Sequence, residues 1–374
     1  MAARIVSIGT AVPSTPVAQD RIRDFFASQP GLDRLTHRLI GAAFDSAAID
    51  QRHTALTQLV DVTQGGTGTA GTAGVDFVGD AQLLLSPTTG RRNDVYGTVA
   101  PGLSAEAARQ ALQEAEVEAS AVTHVVTVSC TGFFAPGPDY RLVRDLGLPI
   151  TVERYNIGFM GCAAALPALR LASRITVAQP EAVVLVVCTE LCTLHITGSS
   201  DPQQIVAASV FADGSAAAVV TADDRLGRPG GLELERFATA LTTEGESDMV
   251  WTIGDHGFEM VLSAEVPRII GREIRGAVDG FLEGGVPDAW AVHPGGRSIL
   301  DRVETGLDLD PAAMQPSRDV LRDYGNMSSA TILFILRALL RTDAVPDGAR
   351  LAALAFGPGL TVESALLTKR WPTA

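Results

Sequence analysis

The chain has 374 residues, 46% of them hydrophobic and 19% charged, with a formal net charge of -14. That content suits two ordinary domains or one large fused unit around a buried core, while the acidic balance argues against a nucleic-acid partner. No apolar stretch approaches the ~20 residues of a membrane span, and four cysteines are too few for a disulfide scaffold in a chain this long.

The opening MAARIVSIGTAVPS joins no basic leader to a long apolar run, and it reads as a first strand rather than a signal peptide. Residues 63–74, TQGGTGTAGTAG, keep neither the helical nor the strand period and read as a surface loop without chemistry. LSAEAARQALQEAEV (103–117) has helical spacing, and THVVTVSC (123–130) reads as a buried strand. ALPALRLASRITVA (165–178) is again helical, followed by strands in EAVVLVVCTE (181–190) and SAAAVVTA (215–222). Charge, Gly and Pro in TADDRLGRPGGL (221–232) mark a boundary. It divides a cysteine-bearing half, 1–225, from a half with His and Asn candidates, 226–374. Beyond it come a strand in DAWAVHPGG (288–296), a helix in MSSATILFILRALLRT (327–342) and a strand in ARLAALAFGPG (349–359). Such alternation predicts a layered α/β fold with a largely parallel sheet. Most reactive candidates then sit at strand ends or helix starts, where such folds build sites.

Cys130, Cys162, Cys188 and Cys192 lack the spacing and the His neighbours of a zinc site, so the expectation is no metal and reduced thiols in a cytoplasm. In NIGFMGCAAALPALRLA, Cys162 has small residues on both sides that let another molecule approach its sulfur. A helix starting there favours thiolate over thiol. Lowering an ordinary thiol pKa by roughly three units takes about 4 kcal/mol, more than a helix terminus supplies, so a cationic partner such as a protonated histidine is expected. Pro167 is tolerated only near the start of such a helix. Taken alone, Cys162 reads rather as a small buried hydrophobe, as most free cysteines are. His293, one of six histidines, follows a strand and opens a Pro-Gly-Gly turn. Asn326 in YGNMSSATILFIL stands at a helix start, where an ordinary N-cap is the plain reading.

Together these segments change the odds. GFMGCAAA, AVHPGG and YGNMSSA, with FADGSAAAVV and the closing AFGPGLTVE, occur in the order and with the separations of the type III polyketide synthases, which the chain resembles from AAIDQRH to its last turn. The resemblance implies a thiolase-like layered αβαβα fold with two similar halves, a homodimer, and no permanently bound cofactor. It further implies condensation of malonyl-CoA, with loss of carbon dioxide, onto an acyl group delivered as a coenzyme A thioester. By it Cys162 is the nucleophile, and His293 with Asn326 binds the thioester carbonyl and steadies the enolate as an oxyanion hole does. Phe211 resembles the gatekeeper between the CoA tunnel and the reaction cavity, with a core aromatic as the plain alternative. Thr131, Ser328 and the turn at Gly357 and Pro358 belong to the implied pocket.

Other positions depart from the plant members. Their second gatekeeper phenylalanine aligns with Met260, counted back from Val266 and Pro267, although Phe258 lies two residues away. Cys130 falls on a threonine of the plant chalcone synthases. Bacterial naphthalene-forming members carry a cysteine in this region, which leaves a second acyl carrier or a spectator thiol. His195 aligns with another cavity threonine, and Ala135 with a methionine that crosses to the partner subunit. The basic residues that hold CoA phosphates are replaced by Leu39, Ala42 and Ser46. Arg297, Arg38 and Arg52 are the nearest substitutes, Arg297 reading equally as a surface arginine. Two alternatives stand beside this reading: an initiating β-ketoacyl-ACP synthase with the same trio, and a catalytically silent scaffold.

Overall fold

Runs of apolar residues too long to leave one face wet place the main strands between layers of helix. The computed structural model describes residues 2–66, 70–227 and 230–371. Residues 67–69 of the Gly/Thr run and 228–229 of the boundary segment lie outside these. The strands are β1 (Arg4–Ala11), β2 (Pro16–Ala18), β3 (Gln51–His53), β4 (His124–Ser129), β5 (Glu153–Gly158), β6 (Val183–Leu191) and β7 (Asp213–Thr221). They continue as β8 (Gly231–Leu241), β9 (Met249–Gly254), β10 (Gly257–Leu262), β11 (Ala289–Val292), β12 (Arg350–Gly357) and β13 (Thr361–Arg370). The helices are α1 (Gln19–Ala27), α2 (Arg34–Ser46), α3 (Thr57–Thr63), α4 (Thr89–Ala115), α5 (Pro138–Leu146) and α6 (Ala165–Ala178). The later ones are α7 (Pro202–Val210), α8 (Val266–Leu282), α9 (Arg297–Leu307), α10 (Gln315–Tyr324) and α11 (Thr331–Arg341).

Nine strands form one sheet in the order β11-β12-β13-β8-β1-β7-β6-β4-β5. Its two wings meet at β1 and β8, which share only the pairs Arg4 with Glu233 and Ile5 with Leu232. Helices α6 and α11 lie between the wings, each touching strands of both. Their apolar faces fill the central core with Leu166, Leu169, Leu333 and Leu336. Helix α4 covers the outside of β1, β7 and β6, while α8 and α9 pack over the other wing. Reading outward in both directions gives five layers, αβαβα.

The expected largely parallel sheet is corrected. Only β4 with β5, β4 with β6, and β11 with β12 run parallel; the other neighbours are antiparallel. Strands buried on both faces show unbroken apolar runs whatever their direction, so the pattern usual for parallel sheets misleads here. Helix α4 also begins 14 residues before the start of the segment read as helical, because Pro101 and the glycines around it interrupt the pattern without ending the helix. Pro167 fits without a kink: it is the third residue of α6, where an N–H has no partner within the helix.

Candidate active site

The turn after β5 shapes the surroundings of Cys162. Gly161 has φ +62°, and a Cβ there would stand 2.4 Å from Cδ of Pro358, so both conformation and space call for glycine. A 3-10 turn over Gly161–Ala163 then leads into α6, which puts Cys162 just ahead of that helix. The sulfur is buried, 4.0 Å from Oδ1 of Asn326. Asn326 does not cap a helix. It forms a bridge with Phe211: its N–H donates to Val210 O at 2.9 Å, and its carbonyl accepts from Ala212 N–H at 2.9 Å. Its Oδ1 also accepts from the Ser328 N–H at 2.9 Å, leaving the amide NH2 as the spare donor. His293 follows β11 directly, pinned by its N–H to Leu354 O at 2.8 Å. Its imidazole is buried, and neither ring nitrogen has a hydrogen-bond partner.

Cys162, His293 and Asn326 line one cavity of about 800 Å³, together with Phe211, Met260 and Arg297. Burial pushes the Cys162 thiol up to about 11, against hydrogen bonding with Ser328 and Asn326 that pulls it down. Burial likewise lowers His293 to about 3. Charging either group alone in this dry site is disfavoured. A proton passed from Sγ to the imidazole creates two opposite charges that compensate each other.

Beyond Cys162 the space is almost closed. Two voids of about 20 Å³ each lie further in, and Phe211, Met260, Trp251 and Cys192 border both. Cys130, Thr131, Ser328 and Pro358 line the first with Cys162. Gly357, expected in the pocket, lines none of these spaces; it packs on the Cys162 turn, a Cβ there standing 3.0 Å from Met160 O and 3.2 Å from Cβ of Ala163. Met260 thus stands with Phe211 where the large cavity meets the small voids. Phe258 turns aside and stacks on His195 with ring centres 4.2 Å apart. His195 uses both nitrogens, Nε2 to Thr131 O at 2.8 Å and Nδ1 to Phe258 N at 3.0 Å. Burial lowers it to about 3, so it is a neutral structural histidine bordering the second void. Cys130 accepts a hydrogen bond from the Gly161 N–H at 3.1 Å, and burial with the nearby Glu190 raises its thiol well above the ordinary range.

The three arginine candidates separate. Arg297 lines the large cavity, half-exposed, 3.5 Å from Asp301. Arg38 is exposed on α2 and does not line it; the α2 residues that do are the uncharged Ala43 and Ser46. Arg52 is a correction: it is buried and donates to Ala208 O at 2.7 Å and Phe211 O at 2.6 Å, holding Phe211 in place rather than reaching a phosphate. Ala135 is exposed beside Phe133 and lines none of these spaces.

Four contributors went unread. Arg268 and Arg302 join Arg297 along the large cavity, where helical surface arginines carry no distinguishing pattern. Trp251 borders both voids and donates from Nε1 to Cys130 O at 2.8 Å. Glu190, fully buried, accepts from Cys130 N–H at 3.0 Å, Thr131 Oγ1 at 2.9 Å and Ser329 Oγ at 2.5 Å. Burial raises its carboxyl to about 7. A glutamate closing an apolar strand was the signal available for it.

The family models described as chalcone and stilbene synthases match this chain twice, the N-terminal domain over residues 1–224 and the C-terminal domain over 233–370. Bisdemethoxycurcumin synthase of Oryza sativa subsp. japonica is 34% identical over 392 residues, covering 98% of this chain and 92% of that one. Probable polyketide synthase 1 of Dictyostelium discoideum is 30% identical over 97% of this chain, which spans only 11% of that protein's length. The solved C-terminal type III polyketide synthase domain of Steely1, a type I/III hybrid from Dictyostelium, superposes with a TM-score of 0.89 at 29% identity, covering 99% of this chain and 100% of that one.

Proposed function

The chain belongs to the chalcone and stilbene synthase family, and from that premise we propose that it is an acyltransferase that repeatedly condenses malonyl-CoA onto an acyl-CoA starter to give a pyrone, resorcinol or other aromatic polyketide. The observation that carries this reading is the buried His293 imidazole with both nitrogens unpartnered, lining one cavity with Cys162 and Asn326. A buried polar group without a partner is costly, and it persists where a ligand completes it.

In this reading an acyl-CoA enters through the large cavity, and Cys162 attacks its thioester carbonyl as its proton passes to His293. The C–S bond to coenzyme A breaks, and the leaving thiolate takes that proton. Malonyl-CoA follows with its thioester oxygen against His293 Nε2 and the Asn326 NH2. Loss of carbon dioxide leaves an enolate steadied by these two donors. The enolate carbon attacks the acyl-Cys162 carbonyl, a C–C bond forms, and the Cys162 thiolate departs and takes up a proton from solvent; the extended coenzyme A thioester then acylates Cys162 again for the next round. The substrates are coenzyme A thioesters, and no step needs a metal or a redox cofactor. Phe211 and Met260 separate the pantetheine arm from the acyl group. The halves 1–225 and 226–374 contribute Cys162 and the His293/Asn326 pair respectively, so the site needs both.

Two surroundings of the enzyme belong to the same reading. The chain works as a homodimer: β5 forms an edge of the sheet, with Tyr155, Met160 and Phe133 exposed around it, and pairing with a second copy covers them. Its four buried free thiols and its CoA substrates suit the cytoplasm. Among the described residues no helix is long and apolar enough to cross a membrane.

The test is incubation of the purified protein with acyl-CoA starters and carbon-labelled malonyl-CoA, reading carbon dioxide release, intact mass and product mass. Carbon dioxide, an acyl group on Cys162 and a ketide product are expected. Turnover of malonyl-ACP but not malonyl-CoA would overturn the choice of substrate, and neither carbon dioxide nor acyl-enzyme would return the chain to a scaffold.

A further inference from the structure

The last turn of α7 runs straight into the site, and every carbonyl from Ala207 to Phe211 has a donor. Ala207 O accepts from the Phe211 N–H at 3.1 Å, and Val210 O from the Asn326 N–H at 2.9 Å. Ser209 O accepts from Nε2 of Gln19 at 2.8 Å. The remaining two, Ala208 O and Phe211 O, share Nη1 of Arg52 at 2.7 and 2.6 Å. A helix leaves its last four carbonyls without partners of its own, and a cation there also meets the negative end of its dipole. Arg52 is buried on β3, its Cζ 5.5 Å from the centre of the Phe44 ring, with no hydrogen-bond partner at Nε or Nη2. Its stem presses on the residue before Asn326. A Cβ at Gly325, where φ is +72°, would stand 2.9 Å from Arg52 Cγ and 3.0 Å from Cδ. One side chain therefore meets both sides of the bridge between Phe211 and Asn326.

We infer that Arg52 is a positioning residue for the proposed reaction: it fixes Phe211 and Asn326 against each other, and so keeps loss of carbon dioxide coupled to carbon–carbon bond formation. This rests on the acyl-transfer reading above. In that reading the enolate forms against Asn326 and has to reach the acyl group on Cys162 past Phe211 before it takes a proton and becomes acetyl-CoA. Its fate depends on how two residues from different halves of the chain stand to one another. Two backbone hydrogen bonds join their segments, Asn326 N–H to Val210 O and Ala212 N–H to Asn326 O. Without Arg52 the carbonyls of Ala208 and Phe211, on either side of that junction, lose their donor. An unpaired carbonyl in a mostly buried turn is costly, so the turn shifts to find another partner, and the Asn326 amide shifts with it. Arg52 does not line the large cavity, so it is not placed to meet a coenzyme A phosphate. Burial lowers its pKa to about 9, against the pull of Asp213, and it stays charged at neutral pH.

The experiment supplies labelled malonyl-CoA with unlabelled acetyl- or hexanoyl-CoA to the wild type, Arg52→Met, Arg52→Lys and Gln19→Ala. It reads carbon dioxide, ketide product and labelled acetyl-CoA, the fate of enolate that fails to condense, and the unfolding temperature of each protein. Arg52→Met keeps an unbranched stem and offers no donor. Its kcat for ketide formation should fall roughly 10- to 10²-fold, the scale of a small misplacement of reacting groups, with KM for malonyl-CoA changed less than about twofold. Labelled acetyl-CoA should then account for most of its carbon dioxide. Arg52→Lys, which returns the charge and a donor, should recover part of kcat and of the ketide share. Gln19→Ala removes a donor from the same helix end, at Ser209 rather than Phe211, and should lower the unfolding temperature with the product ratio unchanged. A folded Arg52→Met with the wild-type product ratio overturns the inference. So does a raised KM at unchanged kcat, which would make Arg52 a phosphate contact, or a Gln19→Ala that shifts the ratio as far as Arg52→Met. If Arg52→Met does not fold, Arg52→Lys decides, and wild-type kcat and ratio in it overturn the inference. Failure of the underlying reaction looks different: the wild type itself would release no carbon dioxide and carry no acyl group on Cys162.

Discussion

The two sides of the constriction between Phe211 and Met260 are built for opposite purposes. Outside it lies a cavity of about 800 Å³ whose wall includes Arg268, Arg297, Arg302 and several serines. Inside it are two voids of about 20 Å³ each, walled by cysteine, methionine and aromatic side chains. On the proposed reading the outer space admits the same long, charged carrier arm in every cycle, so room and donors matter there. On that reading the inner space holds one acyl group, and each methylene is felt. Cys162 sits at the junction and lines both. Shared chemistry therefore resides on the outer side and individual specificity on the inner.

The sharpest way to break that division is to remove the sulfur. Cys162→Ala should abolish condensation, a loss of three orders of magnitude or more, while malonyl-CoA decarboxylation persists because His293 and Asn326 serve that step from the outer cavity. Condensation at the wild-type rate would show that the two spaces are not coupled through Cys162. Asn326→Ala acts one step further out. Losing one of two donors to the enolate should slow decarboxylation by roughly 10²-fold, on the scale of a lost oxyanion-hole donor. Stopped-time assays of labelled carbon dioxide measure it, and an unchanged rate would leave His293 as the sole donor.

Next in size is the charge at the outer wall. Arg297→Ala and Arg302→Ala should each raise KM for malonyl-CoA about two- to fivefold with kcat unchanged, the worth of a solvent-screened ion pair. The effect should shrink as salt is added. If kcat falls instead, these arginines shape the site rather than hold phosphate.

The same division governs how much of the molecule was legible in its sequence. Cys162, His293 and Asn326 stand in short Gly- and Ser-rich turns whose backbone demands are local, as at Gly161 against Pro358, and such segments can be read in isolation. Strands between helical layers were visible as apolar runs, but their directions were not, because burial on both faces erases the alternation that distinguishes antiparallel pairing. The inner wall was least legible. Trp251 and Glu190 reach it through residues 121 and 60 positions away in the chain respectively, and no local pattern records such a contact. Arg52 misled for the same reason: an arginine beside the right segment turned inward to the backbone of Phe211.

The last effect falls on stability rather than on activity and concerns the foundation of the inner wall. Glu190 ties the Cys130–Thr131 turn to Ser329, and burial raises its pKa from 4.5 to about 7. Between those values the folded protein holds a proton that the unfolded chain has lost. This group's contribution is therefore complete below about pH 4.5 and disappears as pH rises through 7, a change of at most about 3 kcal/mol. Asp213, raised to about 6, acts in the same direction at lower pH. Buried His195 and His293, both lowered to about 3, act oppositely: they cost stability when the unfolded chain takes up protons below about pH 6.5. The wild-type curve alone mixes these signs. Its difference from Glu190→Gln isolates one of them, because the amide does not titrate while the histidines and Asp213 are common to both proteins. Chemical unfolding from pH 5 to 8 should show the wild type losing stability relative to Glu190→Gln as pH rises. A difference constant across that range would mean that Glu190 is already ionised at pH 5, with the hydrogen bonds to Cys130, Thr131 and Ser329 outweighing its burial.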